Sequence, residues 1–241
     1  MSEPLAPAAG TRPAAGRYNE IFVARLFHAL TALAALAGLV LEAVAMLASP
    51  VYGAAPGHAW WNFLSYFSVQ AGVLVFAVSV SLAADSARTG GRFWRAARLA
   101  ALVAAVLVFW LQFTPYRGLA EFTGLNAATV WGDRVLHYAL PVLVLACWLI
   151  FGPRPRIRPA AALWSLAFPV FWLLWTIIRG AVTGWYPYPP VDAAAGTGPM
   201  LAGGVFILLG WLGTAFLYLL LDRRMGREPD GYLPGFGPDG R

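Results

Sequence analysis

The sequence predicts an all-α, polytopic membrane protein with six transmembrane helices and both termini in the cytoplasm. Composition is the first reason: 60% of the 241 residues are hydrophobic and only 12% are charged, about half the charged share of an ordinary soluble domain. Periodic punctuation is the second, because six apolar runs recur, each near the ~20 residues that cross a hydrocarbon core. The third is where the charge falls. All 17 basic residues are arginine, and most lie in segments that six alternating spans bring to one side, which the positive-inside rule assigns to the cytoplasm.

The spans run in order from Ile21 to Ala48, Trp61 to Ala84, Ala97 to Thr114, Gly132 to Phe151, Ala160 to Ile178 and Met200 to Leu221. Without water in the bilayer to satisfy the backbone, runs of this length form helices; a barrel would show shorter alternating segments. The first run is too long for the h-region of a signal peptide and is kept as a helix. Residues 1–20, rich in Ala, Pro and Gly, and 223–241, rich in Gly, Pro and Asp, are expected to be flexible ends around the membrane domain of residues 21–222.

Arg12 and Arg17 precede the first span, Arg88, Arg92, Arg95 and Arg98 surround the second connection, Arg154, Arg156 and Arg158 fill the fourth, and Arg223, Arg224 and Arg227 follow the last. This distribution orients the chain and argues against nucleic acid as a partner. The opposite side holds Arg117, Arg134 and Arg179 beside Glu121, Asp133 and Asp192. Arginine on the side that normally avoids it calls for a local reason, so a site is sought there. The single cysteine, Cys147, lies inside the fourth span and is read as packing. His28, His58 and His137 do not pair at one level, so neither a haem nor a zinc site is expected and no cofactor is assigned.

Ionisable and polar groups inside a bilayer are costly and mark candidate sites. Glu42, Ser68 and His137 come from three different spans and are expected roughly 8–10 Å beneath the outer boundary, at one depth, from their distance along the helices. Ser65, Ser68, Gly72 and Ser79 form a stripe on one helix face, which close helix packing would also explain. In "HYALP" (His137 to Pro141) the proline cannot donate to the carbonyl of His137, so a kink is expected there with that carbonyl free. The histidine is a general base or an interhelical hydrogen-bonder.

Three segments, "YFSVQ" at Tyr66 to Gln70, "HYALP", and "RGAVTGWYPYPPVD" from Arg179 to Asp192, together resemble the bacterial Pr6Pr family of six-helix membrane proteins, over about residues 20 to 222. That family is distantly similar to the androgen-induced and androgen-dependent TFPI-regulating proteins, intramembrane hydrolases of fatty acid esters of hydroxy fatty acids. The resemblance implies a catalytic hydroxyl at Ser68, where those enzymes have threonine, and a catalytic histidine at His137. It also implies a multi-pass protein of the bacterial inner membrane whose partners are lipids, a lipid ester among them.

The expected chemistry is an acyl-enzyme route: His137 takes the Ser68 proton and Ser68 attacks an ester carbonyl. Arg179 and Tyr186 are candidates for stabilising the oxyanion, Glu42 or Asp192 for orienting the imidazole or neutralising Arg179, and Gln70 for lining the pocket. Pro187, Pro189 and Pro190 stiffen the last loop while Trp185, Tyr186 and Tyr188 suit the headgroup level, giving either a rigid lid with Asp192 close to Arg179 or an interfacial anchor. Two non-catalytic readings stand beside this: a carrier or sensor that holds an amphiphile or ion in the same pocket, and a scaffold. With no internal repeat and no clearly broken helix pair expected, a secondary transporter is disfavoured.

Overall fold

A computed structural model describes residues 14–48, 56–113, 126–152 and 154–226, all helix and short connection with no strand among them. Six helical segments are long and apolar enough to cross a membrane: Asn19–Ala48, Phe67–Ala84, Arg92–Leu111, Ala127–Phe151, Pro159–Thr183 and Thr197–Met225. The fold class is therefore that of a six-helix polytopic membrane protein. Thr114, Arg117 and Glu121 fall outside the described residues, as do residues 1–13 and 227–241.

The helices are α1 (Ala14–Ala48), α2 (Pro56–Ser65), α3 (Phe67–Ala84), α4 (Arg92–Leu111), α5 (Ala127–Arg134), α6 (Leu140–Phe151), α7 (Pro159–Ser165), α8 (Ala167–Thr183) and α9 (Thr197–Met225). Between α5 and α6 runs a π-helical turn, Val135–Ala139, and two 3₁₀ turns, Pro189–Val191 and Ala193–Ala195, precede α9.

Helix α4 is the centre of the bundle. From Leu99 to Ala105 every residue is buried, and the four alanines of that stretch let neighbouring backbones approach from all sides. Around it the outward faces stay apolar: Leu33, Val40, Val142, Ile178, Phe206 and Leu209 are exposed, as lipid-facing positions should be. A cluster of rings fastens the other helices. Phe67 meets Phe168, Trp172 and Trp211 edge-on at centroid distances of 5.7, 5.3 and 6.4 Å, and both tryptophans are almost fully buried.

Three of the spans are interrupted, where a kink was expected only in the fourth, at Pro141. Span two breaks at Tyr66, whose φ of −67° and ψ of 133° are extended. Ser65 returns its hydroxyl to the Trp61 carbonyl at 2.7 Å, a contact that bends helices. Span five breaks at Leu166 because Pro169 has no N–H for the carbonyl four residues earlier. In span four the response to Pro141 is the π turn, with the Leu140 amide donating to the Val135 carbonyl; the extra residue widens the helix just before the proline.

Contacts between chain ends define two faces. At one, Arg25 Nε donates to the Ala83 carbonyl at 2.7 Å and Arg156 to the Ala87 carbonyl at 3.2 Å, while Asp222 near the end of α9 holds the connection before α7. This end carries Arg88, Arg92, Arg95, Arg154, Arg156, Arg158, Arg223 and Arg224. At the other, Arg179 donates to the Asn62 side chain and Gln112 to Asp133.

Candidate functional site

The break at Tyr66 orphans backbone groups, and what satisfies them builds much of the far end of the bundle. Gln70 donates its side-chain amide to the Leu64 carbonyl at 2.9 Å. The Trp172 indole donates to the Ser65 carbonyl at 2.9 Å, and the Trp175 indole to the Ser65 hydroxyl at 3.0 Å. On the other side of the break, Tyr188 brings its hydroxyl to the Ser68 side chain and to the backbone at Phe67 and Ser68, where the first turn of α3 has amides to spare. In a bilayer each of these groups left bare would cost several kcal/mol. Burial pushes the Tyr188 hydroxyl up to about 12, so at neutral pH it stays protonated and can both give and take a hydrogen bond.

The Tyr188 loop is seated by two glycines. Gly180 in α8 has the Tyr186 ring where a Cβ would stand, and Gly203 in α9 has the Pro190 carbonyl there. Val191 is fully buried beneath. Tyr66 completes the contact, edge-on to Trp185 at 5.7 Å and to Tyr188 at 5.9 Å. The loop is thus packed against the broken helix, consistent with stiff proline geometry.

The predicted residues fall out as follows. His137 sits in the π turn, its Nδ1 3.1 Å from Asp133 Oδ1 and 3.2 Å from the Asp133 carbonyl. Asp133 also accepts from Gln112 at 3.1 Å. Glu42 reaches toward this pair: a Cβ at Gly132 would lie 2.9 Å from its Oε1, so the bare glycine admits the carboxyl against α5. Glu42 is in electrostatic range of His137 and Asp133 on one side and of Tyr66 and Tyr188 on the other. It joins the two halves of the site.

Ser68 and His137 are not hydrogen-bonded to each other; Ser68 has Tyr188 as its partner and His137 has Asp133. One turn along α3 from Ser68, Leu39 and Leu136 fill the space beside Gly72. Gln70 is spent on the Leu64 carbonyl rather than on a pocket wall. Arg179 pairs with Asn62 and lies over the Trp185 ring at 4.7 Å, while one of its terminal nitrogens, Nη1, is buried without a hydrogen-bond partner among the described residues. Asp192 caps its own 3₁₀ turn by accepting from the Ala194 amide at 2.8 Å, so it is not the partner of Arg179. Tyr186 packs on Gly180. His58 is exposed.

Two residues of consequence were not singled out for these roles from the sequence. Asp133 was legible, since it stands four residues before His137 and so on the same helix face. Asp222 was given no role from the sequence; in the fold it is 1% exposed and accepts the amides of Arg156 and Ile157 at 2.6 and 2.7 Å. No group of three or more metal-ligating side chains occurs among the described residues. Comparisons with protein-family models, with curated proteins and with solved structures find no match to this chain.

Proposed function

We propose that this integral membrane protein hydrolyses a lipid ester at the end of the bundle that carries Glu42, Ser68 and His137. The observation that carries the reading is the Asp133–His137 contact of 3.1 Å. A carboxylate on Nδ1 fixes the tautomer in which that nitrogen holds the proton, leaving Nε2 as the acceptor a general base needs. Ser68 supplies the hydroxyl, which must leave Tyr188 when substrate enters; Tyr188 and Arg179, with donors in hand, then serve the oxyanion. The resemblance to Pr6Pr proteins through the Ser68, His137 and Tyr186–Asp192 segments supports the same assignment. On this reading the site faces the periplasmic side of a bacterial inner membrane with both termini cytoplasmic, an orientation that the arginine distribution supports and a membrane that the resemblance suggests.

A second reading, binding without cleavage, is favoured by the engagement of the Ser68 hydroxyl with Tyr188. A fluorophosphonate probe on membranes holding the full chain separates the two. Hydrolysis requires labelling of the wild type that Ser68→Ala abolishes and that Asp133→Asn lowers by about 10²-fold or more, by analogy with losing the orienting acid of a triad. Labelling that persists in Ser68→Ala removes the nucleophile, and a wild type that neither labels nor releases fatty acid from lipid esters leaves the binding reading.

A further inference from the structure

The strongest unassigned feature lies at the opposite, arginine-rich end. A narrow cleft with a cavity volume of about 30 Å³ runs between α1, α3, α4 and α6. Its polar lining is His28, Thr31, Ser79 and Arg98, with valine and leucine side chains of α3, α4 and α6 completing the walls. Thr31 and Cys147 are occupied with each other at 3.4 Å.

Arg98 is the anomaly. It is partly buried inside a span, yet among the described residues it has no hydrogen bond and no ion pair; its interactions are electrostatic, with Arg154 and Arg156 repelling it and Asp222 attracting it. Its neighbours are partly used, Asp222 keeping its Oδ1 buried with no hydrogen-bond partner among the described residues. Arg154 donates to the carbonyls of Trp148 and Leu149 at 2.5 and 2.7 Å, Arg156 to that of Ala87, and Asp222 takes two backbone amides. Three guanidiniums therefore face one carboxylate. A guanidinium presents five donors in a planar fork that matches an oxyanion, and leaving it desolvated and unpaired in a bilayer is costly.

We infer that the mouth of this cleft binds the oxyanion head of an anionic amphiphile, with Arg98 as the ligand to the phosphate. The Ser79 hydroxyl and the His28 ring line the same space and suit the remaining phosphate oxygens, whereas Thr31 gives its proton to the Phe27 carbonyl at 2.8 Å. The site is separate from the Glu42–His137 cluster and does not depend on its activity.

Native mass spectrometry of the full chain in detergent, offered phosphatidylglycerol or phosphatidylcholine, tests the inference. The wild type should retain phosphatidylglycerol at least about tenfold more tightly, the worth of one charge-assisted fork. Arg98→Gln should erase that preference, and so should Ser79→Leu, which fills the cleft and leaves every charge in place, a safeguard should the arginine variant fail to fold. Competition with inorganic phosphate identifies the source: displacement of the lipid by phosphate assigns a free oxyanion site, and indifference to it a lipid headgroup. Equal retention of the two lipids by the wild type, together with no phosphate binding, overturns the proposal, as does a phosphatidylglycerol preference that survives both substitutions.

Discussion

Tyr188 does for the second span what water would do outside a membrane. Its hydroxyl meets the start of α3 and the Ser68 side chain across a loop more than a hundred residues away in sequence, and Trp172 and Gln70 take the two carbonyls on the other side of the break. Tyr188→Phe keeps the ring and removes the oxygen. It should lower stability by about 1–3 kcal/mol, the cost of stranding buried amides, read as a lower unfolding midpoint in detergent. The pH dependence has a definite sign. Because burial raises this tyrosine from 10.0 to about 12, its contribution is complete below pH ~10 and fades as pH rises toward ~12, where the fold must give up a proton it holds more tightly than the unfolded chain does. Wild type should lose midpoint across that window more steeply than Tyr188→Phe. None of this was legible in the residues around Tyr66, because a helix break of this kind depends on partners that only the fold brings near.

At the scale of elements, the aromatic–proline loop is held in place by two absent side chains. Gly180 and Gly203 stand where Tyr186 and Pro190 press against α8 and α9, and neither glycine is at a positive φ, so it is space rather than backbone conformation that they supply. Gly203→Val should lift the loop at a cost of roughly 1–3 kcal/mol, typical of overpacking, and open residues 184–192 to limited proteolysis while the six helices persist by circular dichroism. The long apolar runs were readable from hydropathy because lipid imposes one rule on every span. The break in span five was readable in principle from Pro169, and the π turn from Pro141, though the sequence pointed to a kink with a free carbonyl. That Ser68 and His137 take different partners was not readable, since equal depth does not fix rotation about the helix axis; Leu39 and Leu136 pack beside Gly72, one turn from Ser68.

For the whole molecule, the two faces differ in what they bury. One joins Asn62 to Arg179, Glu42 to the Asp133–His137 pair, and Tyr66 to Tyr188; the other gathers arginines around Asp222. The arginine excess predicts that the second face is cytoplasmic. Cysteines introduced at Gly184 and Ser86 in intact cells should report it: a membrane-impermeant maleimide should label Gly184→Cys directly and Ser86→Cys only after permeabilisation. The reverse pattern would invert the topology and move the Glu42 cluster to the interior side. Asp222 carries one more implication, about synthesis. The amides of Arg156 and Ile157 leave the ribosome some 65 residues before the carboxylate that receives them, so the connection between the fourth and fifth spans emerges incomplete and is secured only when the last helix arrives. A chain shortened before residue 197 would insert five spans and still leave that hairpin exposed as a target for membrane quality control.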